Sequence, residues 1–167
     1  MKYRCKLDSP LGSIILESDG RSLTGLWFLG QKYFVPASSD VTEKPDLPVF
    51  EKARIWLDAY FSGKKPGPVP PAAPEGSEFQ KSVWKALRKI PYGKTVTYGD
   101  IAKELADTVP GKKVSPRAVG GAVGRNPVSI IIPCHRVTGK NGSLTGYAGG
   151  LDRKKHLLDL EKGVKRK

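Results

Sequence analysis

Two cysteines, Cys5 and Cys134, and two histidines, His135 and His156, are all that this 167-residue sequence holds of the side chains that most often bind metals or form cross-links. Two cysteines are too few for a disulfide framework, so both are expected to stay thiols in a reducing compartment. With no CxxC pair and only His156 besides His135, metal coordination at Cys134 is not expected, and no metal site is predicted. Long apolar runs are missing as well. The opening residues MKYRCKLDSPLG contain no apolar stretch of signal-peptide length, and no run elsewhere approaches a membrane span. The expectation is a soluble protein of the cytoplasm, with no membrane partner.

Acidic residues are scarce in one half of the chain. Residues 1–77 carry ten Lys and Arg against nine Asp and Glu, whereas residues 78–167 carry nineteen against seven, so nearly all of the net charge of +13 lies in the second half. Such one-sidedness suggests a face that binds a polyanion such as nucleic acid, with a merely solvated basic surface as the plainer alternative. The hydrophobic fraction of 38% and three tryptophans are enough for a folded chain with a real core, in one domain or two small ones.

The first half reads as sheet followed by helix. In KYRCKL, Tyr3, Cys5 and Leu7 alternate with Lys2, Arg4 and Lys6, the period of a half-buried strand. Cys5 on that apolar face reads as a small buried hydrophobe. Ser9-Pro10-Leu11-Gly12 is turn material, Ser13 to Glu17 supplies a second strand, and Leu23 to Leu29 a third. Phe50, Ile55, Leu57 and Phe61 predict an amphipathic helix of about three turns. Residues 63–76, with five prolines and three glycines, read as a stiff, extended linker. That places the boundary between an N-terminal domain, 1–76, and a C-terminal domain, 77–167.

Beyond it the pattern is helical. Ser77 with Gln80 matches a capping box, and Phe79, Val83 and Leu87 recur at four-residue spacing until Pro91-Tyr92-Gly93 stops the helix. Thr97 is placed to cap a second helix carrying Ile101 and Leu105. Ser115-Pro116 opens a third, the two forming a helix-turn-helix with a long connection. In the third helix Gly120 and Gly121 each cost about 1 kcal/mol. An ordinary helix is roughly 10–12 Å across and the DNA minor groove about 6 Å wide, so stripping the helix to Ala118, Gly120 and Gly121 after Arg117 would let it approach that groove. Close packing against another helix explains the small residues equally well.

The apolar run Ile130-Ile131-Ile132 ends at Pro133-Cys134-His135-Arg136-Val137. A free thiol with a pKa of about 8.5 is only about 3% thiolate at pH 7, so a reactive cysteine needs a base beside it. His135 can take the proton, directly or through a water, and Arg136 or a helix N-terminus would favour the anion. A neutral histidine acts as a base only if its other nitrogen donates to an acceptor, a role a carboxylate such as Glu161 could fill.

The segments Pro91-Tyr92-Gly93, Thr97-Tyr98, Arg117-Ala118-Val119-Gly120-Gly121-Ala122, Asn126-Pro127, Ile132-Pro133-Cys134-His135-Arg136-Val137 and Tyr147-Ala148-Gly149-Gly150-Leu151 resemble, in order, those of the O6-alkylguanine-DNA alkyltransferases. Leu7-Asp8-Ser9-Pro10-Leu11-Gly12 extends the resemblance more loosely into the first half. It implies an α+β/α architecture: a small N-terminal α/β domain, ribonuclease H-like with an antiparallel sheet, and a mostly helical, winged helix-turn-helix C-terminal domain. It also implies a monomer that transfers an alkyl group, once and irreversibly, from O6-alkylguanine or O4-alkylthymine in double-stranded DNA to Cys134, with no cofactor. His135 would be the base acting through water, Glu161 its orienter, and Asn126 would fix the turn. Arg117 would enter the duplex in place of the extruded base, and Tyr98 would lie beside the target nucleotide, its hydroxyl donating to the base. Tyr147, Ala148 and Gly149 would line the base pocket and present amides to the base oxygen. The carbonyls of Val137 and Cys134 would accept from the exocyclic amine. Some relatives hold a structural zinc in the N-terminal domain; with Cys5 alone and no histidine before His135, that site is expected to be absent here. The alternatives are a lesion binder without chemistry, a winged-helix regulator and a cysteine hydrolase.

Overall fold

The computed structural model describes residues 1–108 and 113–163. Its first half is a four-stranded sheet in the order β3-β2-β1-β4. Strands β1 (Lys2–Leu7), β2 (Ile14–Ser18) and β3 (Leu23–Phe28) form an antiparallel meander in which Cys5 faces Leu16 and Leu16 faces Leu26. Ser9 and Gly12 close the first hairpin by exchanging backbone hydrogen bonds, with Gly12 at φ 115°, a conformation glycine adopts without strain. The short β4 (Val41–Glu43) pairs with β1 in parallel, so the sheet is mixed rather than wholly antiparallel. The physical reason is the connection: parallel pairing needs about a dozen residues to carry the chain back along the sheet, and residues 29–40 supply them.

Helix α1 (Pro48–Phe61) packs on this sheet through Val49, Phe50, Ala53, Trp56, Leu57 and Tyr60. Ile55, expected on the buried face, is 62% exposed, because the phase set by Val49, Ala53, Trp56 and Tyr60 turns it outward. The other side of the sheet is not simply solvated either. Arg4 is buried there, its Nε and Nη2 both reaching Glu17 Oε2, at 2.9 and 2.8 Å, with Trp27 beneath the guanidinium. The proline-rich segment is docked rather than free. Pro71 accepts from the Leu23 amide, Ala73 donates to the Leu23 carbonyl, and Gly67 accepts from Trp56 Nε1. Prolines offer carbonyls but no donors, so Pro71 accepts and the donor comes from Ala73.

Three capped helices follow. In α2 (Glu78–Leu87) Ser77 and Gln80 form the reciprocal capping box. In α3 (Tyr98–Thr108) Thr97 Oγ1 accepts from Asp100 N while Asp100 Oδ2 accepts from Thr97 N. In α4 (Pro116–Gly124) Ser115 accepts from Ala118 N, with Pro116 in the first turn. Part of the long α3–α4 connection, residues 109–112, lies outside the described residues. Strands β5 (Val96–Thr97) and β6 (Val137–Thr138) pair in parallel, and α5 (Leu151–Glu161) packs beside the turn at Cys134–Arg136. The halves are joined at β3: Leu26 donates to Pro127 and accepts from Ser129, which fixes the chain leading to Cys134 to the sheet.

Candidate active site

Between residues 126 and 134 the backbone follows a path that regular structure cannot supply. Asn126 is buried and staples it, its Oδ1 accepting from Val128 N at 3.0 Å and its Nδ2 donating to Ile132 O at 2.8 Å. Ile130 stands at φ 69°, with Ile131 N bonded back to Ser129 O. A β-branched residue in that region is strained by about 1–3 kcal/mol and persists only where its surroundings over-determine it. Pro133, at φ −81° and ψ 65°, forms an inverse γ-turn in which Cys134 N bonds Ile132 O. These turns deliver Cys134 to the start of a short 3-10 helix with its thiol buried.

Behind it lies one carboxylate with many donors. Glu161 Oε2 is 2.5 Å from His135 Nε2 and 2.6 Å from the Tyr60 hydroxyl, while Oε1 accepts from Arg136 Nε at 2.7 Å and Gly93 N at 3.1 Å. Arg136 Nη2 also reaches Oε2, and its Nη1 donates to Ile90 O, giving the fork geometry in which arginine binds carboxylates best. Burial alone would raise the Glu161 carboxyl, but hydrogen bonds from His135, Arg136 and Tyr60, joined by the His135 charge once that ring is protonated at low pH, hold it down at about 2. The same burial lowers His135 against the opposing pull of Glu161, so the imidazole rests neutral. A neutral ring beside a carboxylate places its proton on Nε2, leaving Nδ1 as the basic nitrogen, and Nδ1 has no hydrogen-bond partner among the described residues.

Burial likewise pushes the Cys134 thiol up, opposed by the Asn126 side chain, the Lys154 ammonium and the amides of Cys134 and His135. Lys154 is fully buried with Nζ on the carbonyls of Val137 (2.6 Å) and Thr145 (2.9 Å), and desolvation lowers it to about 8. The resting site therefore holds a protonated thiol, a neutral imidazole on the following residue with Nδ1 unpartnered among the described residues, and a buried cation whose charge favours the thiolate. That is the chemistry of a nucleophile awaiting its electrophile.

Glu161 also links the site to acid stability. Its folded pKa lies below its ordinary 4.5, so its contribution is complete above that value and is lost as pH falls toward about 2. The shift corresponds to on the order of 3 kcal/mol. Glu161→Gln is expected to lower the melting temperature at neutral pH, with the two proteins converging between about pH 4.5 and about 2 by calorimetry.

The remaining expected site residues lie on α3, on α4 and in the segment between β6 and α5. Tyr98 begins α3 and its hydroxyl accepts from Thr145 Oγ1 at 3.0 Å, which leaves its own proton to donate. Gly120 packs beneath the Tyr98 ring, where an added Cβ would sit 3.8 Å away, whereas Gly121 has no neighbour within 4 Å and is exposed with Arg117 and Ala118. Close packing therefore accounts for Gly120, while Gly121 is left open to solvent. Tyr147 is partly buried, and Gly149 leaves room for it, since a Cβ there would meet the Tyr147 ring at 2.7 Å and Phe28 at 3.1 Å. Ala148 O accepts from Lys32 N, and the Val137 carbonyl accepts from Lys154. Lys154 and Tyr60 escaped the sequence reading. Lys154 could have been found, because it stands i, i+3, i+4, i+7 with the buried Leu157, Leu158 and Glu161. Among the described residues no group of three or more His, Cys, Asp or Glu could hold a metal ion, and no helix is long and apolar enough to cross a membrane.

Residues 78–163 match the family described as 6-O-methylguanine DNA methyltransferase, DNA binding domain, and residues 2–66 match 6-O-methylguanine DNA methyltransferase, ribonuclease-like domain. The chain is 46% identical over 159 residues to a methylated-DNA–protein-cysteine methyltransferase of Methanosarcina acetivorans, covering 95% of this chain and 97% of that one. A namesake from Haemophilus influenzae is 46% identical over 162 residues, covering 96% and 86%. Among solved structures, Mycobacterium tuberculosis OGT in complex with DNA superimposes with a TM-score of 0.84 at 43% identity, covering 96% of this chain and 93% of that one.

Proposed function

The chain belongs to the methylated-DNA–protein-cysteine methyltransferase family, and on that premise we propose that it repairs alkylated DNA by direct reversal, moving the alkyl group from O6-alkylguanine, or O4-alkylthymine, to its own Cys134. The observation that carries this reading is the buried Cys134 thiol followed by His135, whose Nε2 is held by Glu161 while Nδ1 is free to take a proton. His135 accepts the thiol proton, directly or through a water, and the sulfur attacks the alkyl carbon in line. The C–S bond forms as the C–O bond breaks, the electron pair passes to the base oxygen, and the base is protonated as it leaves, with Tyr98 as the donor near it. The product is a thioether, a poor leaving group, so each molecule reacts once without a cofactor.

A side-chain sulfur cannot reach O6 inside a stacked pair, so the nucleotide must leave the helix. Arg117, at the exposed start of α4, fills the place it vacates, and Ala118, Gly120 and Gly121 let α4 sit close to the groove. Tyr147, Ala148 and Gly149 wall the pocket, the carbonyls of Val137 and Cys134 receive the exocyclic amine, and Asn126 keeps the turn in shape. In this reading residues 1–76 form a ribonuclease H-like domain and 77–167 a winged helix-turn-helix domain that binds double-stranded DNA as a monomer inside the cell. A lesion binder without chemistry shares such a pocket but has no use for Cys134. With an isotopically labelled O6-methyl duplex in excess, label on the protein is expected to saturate at about one methyl group per chain; continued turnover would point instead to a hydrolase, and none at all to a lesion binder.

A further inference from the structure

Glu161 receives a donor from the other half of the chain. The Tyr60 hydroxyl, on α1, donates to Oε2 at 2.6 Å, the oxygen that also takes His135 Nε2, and the two donors stand 3.4 Å apart. An ionised carboxylate has about four lone-pair positions, and here five hydrogen bonds converge on it, from His135, Tyr60, Gly93 and two from Arg136. The carboxylate is saturated, so its donors compete.

We infer that Tyr60 is a positioning residue for the His135–Glu161 pair: by donating to the oxygen that receives His135, its hydroxyl limits how strongly Glu161 holds the imidazole. The inference rests on the proposed function for its meaning, since a looser hold keeps His135 a free base ready for the Cys134 proton. Tyr60 is built to stay in place. It is fully buried, stacked on Trp56 at 5.4 Å and 14°, and meets Tyr92 at 6.1 Å and His135 at 6.5 Å edge to face. Burial first, and then the Glu161 charge, keep its hydroxyl protonated, so it remains a donor at any working pH. The other ionisable groups facing the pair are Arg136, Lys154, Cys134, Tyr92 and Tyr147, and none of them changes when position 60 alone is altered.

Removing the hydroxyl frees Oε2 to bind the imidazolium more strongly, so Tyr60→Phe is expected to raise the His135 titration midpoint by about half a pH unit to one unit. Fluorotyrosine at position 60 keeps the ring and strengthens the donor, and is expected to lower it. Imidazole NMR titration of the full-length chain reads this directly, because the chain has only two histidines and His156 serves as the reference. Trp56→Phe, which disturbs the packing of Tyr60 but not its hydroxyl, should lower the melting temperature and leave the midpoint in place. Opposite displacements by the two position-60 variants support the inference, and the acid limb of single-turnover methyl transfer should follow them. If the His135 midpoint stays put in both, or moves down in Tyr60→Phe, Tyr60 is a packing residue only. If Tyr60→Phe does not fold, the fluorotyrosine chain decides by itself. A wild-type chain that transfers no methyl group would overturn the proposed function, while the titration would still decide the role of Tyr60.

Discussion

Cys134→Ala is expected to abolish methyl transfer and to leave binding to a lesion-containing duplex in place. The loss is total because no other group can substitute. The only other cysteine, Cys5, is buried in the sheet opposite Leu16, with its thiol pushed up to about 11 by desolvation, so it is neither placed nor activated to attack. Binding survives because the substitution removes a single buried sulfur, whereas the exposed face of α4 lies elsewhere. Single-turnover transfer and gel-shift affinity on the same duplex separate the two quantities. Residual transfer by the alanine variant would mean that the nucleophile has been misassigned.

The second large effect is expected at Arg117. It is exposed at the beginning of α4, two residues after the Ser115 cap. If its side chain takes the place of an extruded base, its value is realised only when there is a stack to open. Extrusion costs a few kcal/mol, so Arg117→Ala should slow transfer from duplex DNA by about 100-fold. Reaction with the free alkylated base, which needs no extrusion, should change little. Equal losses on both substrates would make Arg117 a structural residue.

What could be read from the sequence follows the range of the interactions. The caps at Ser77, Thr97 and Ser115 were legible because each bonds an amide three residues on. The Cys134-His135 pair is legible because its members are neighbours, and Glu161 because a neutral histidine base needs an acceptor such as a carboxylate, a role the resemblance also implies for it. Ile55 misled because an apolar residue two positions from Leu57 on a helix sits far around the axis from it. The parallel β4 is three residues long and has no hydrophobic alternation to announce it. Tyr60 was out of reach for a different reason: its partner Glu161 lies 101 residues away, on the other side of the proline-rich segment, and no local pattern joins them.

The most direct test of the central claim is intact-mass spectrometry, followed by peptide mapping, after the chain is mixed with a duplex containing O6-methylguanine. The account predicts a gain of one methyl group, confined to the peptide that holds Cys134. An unchanged mass alongside tight, lesion-selective binding, or a methyl group mapped to any other residue, would contradict it.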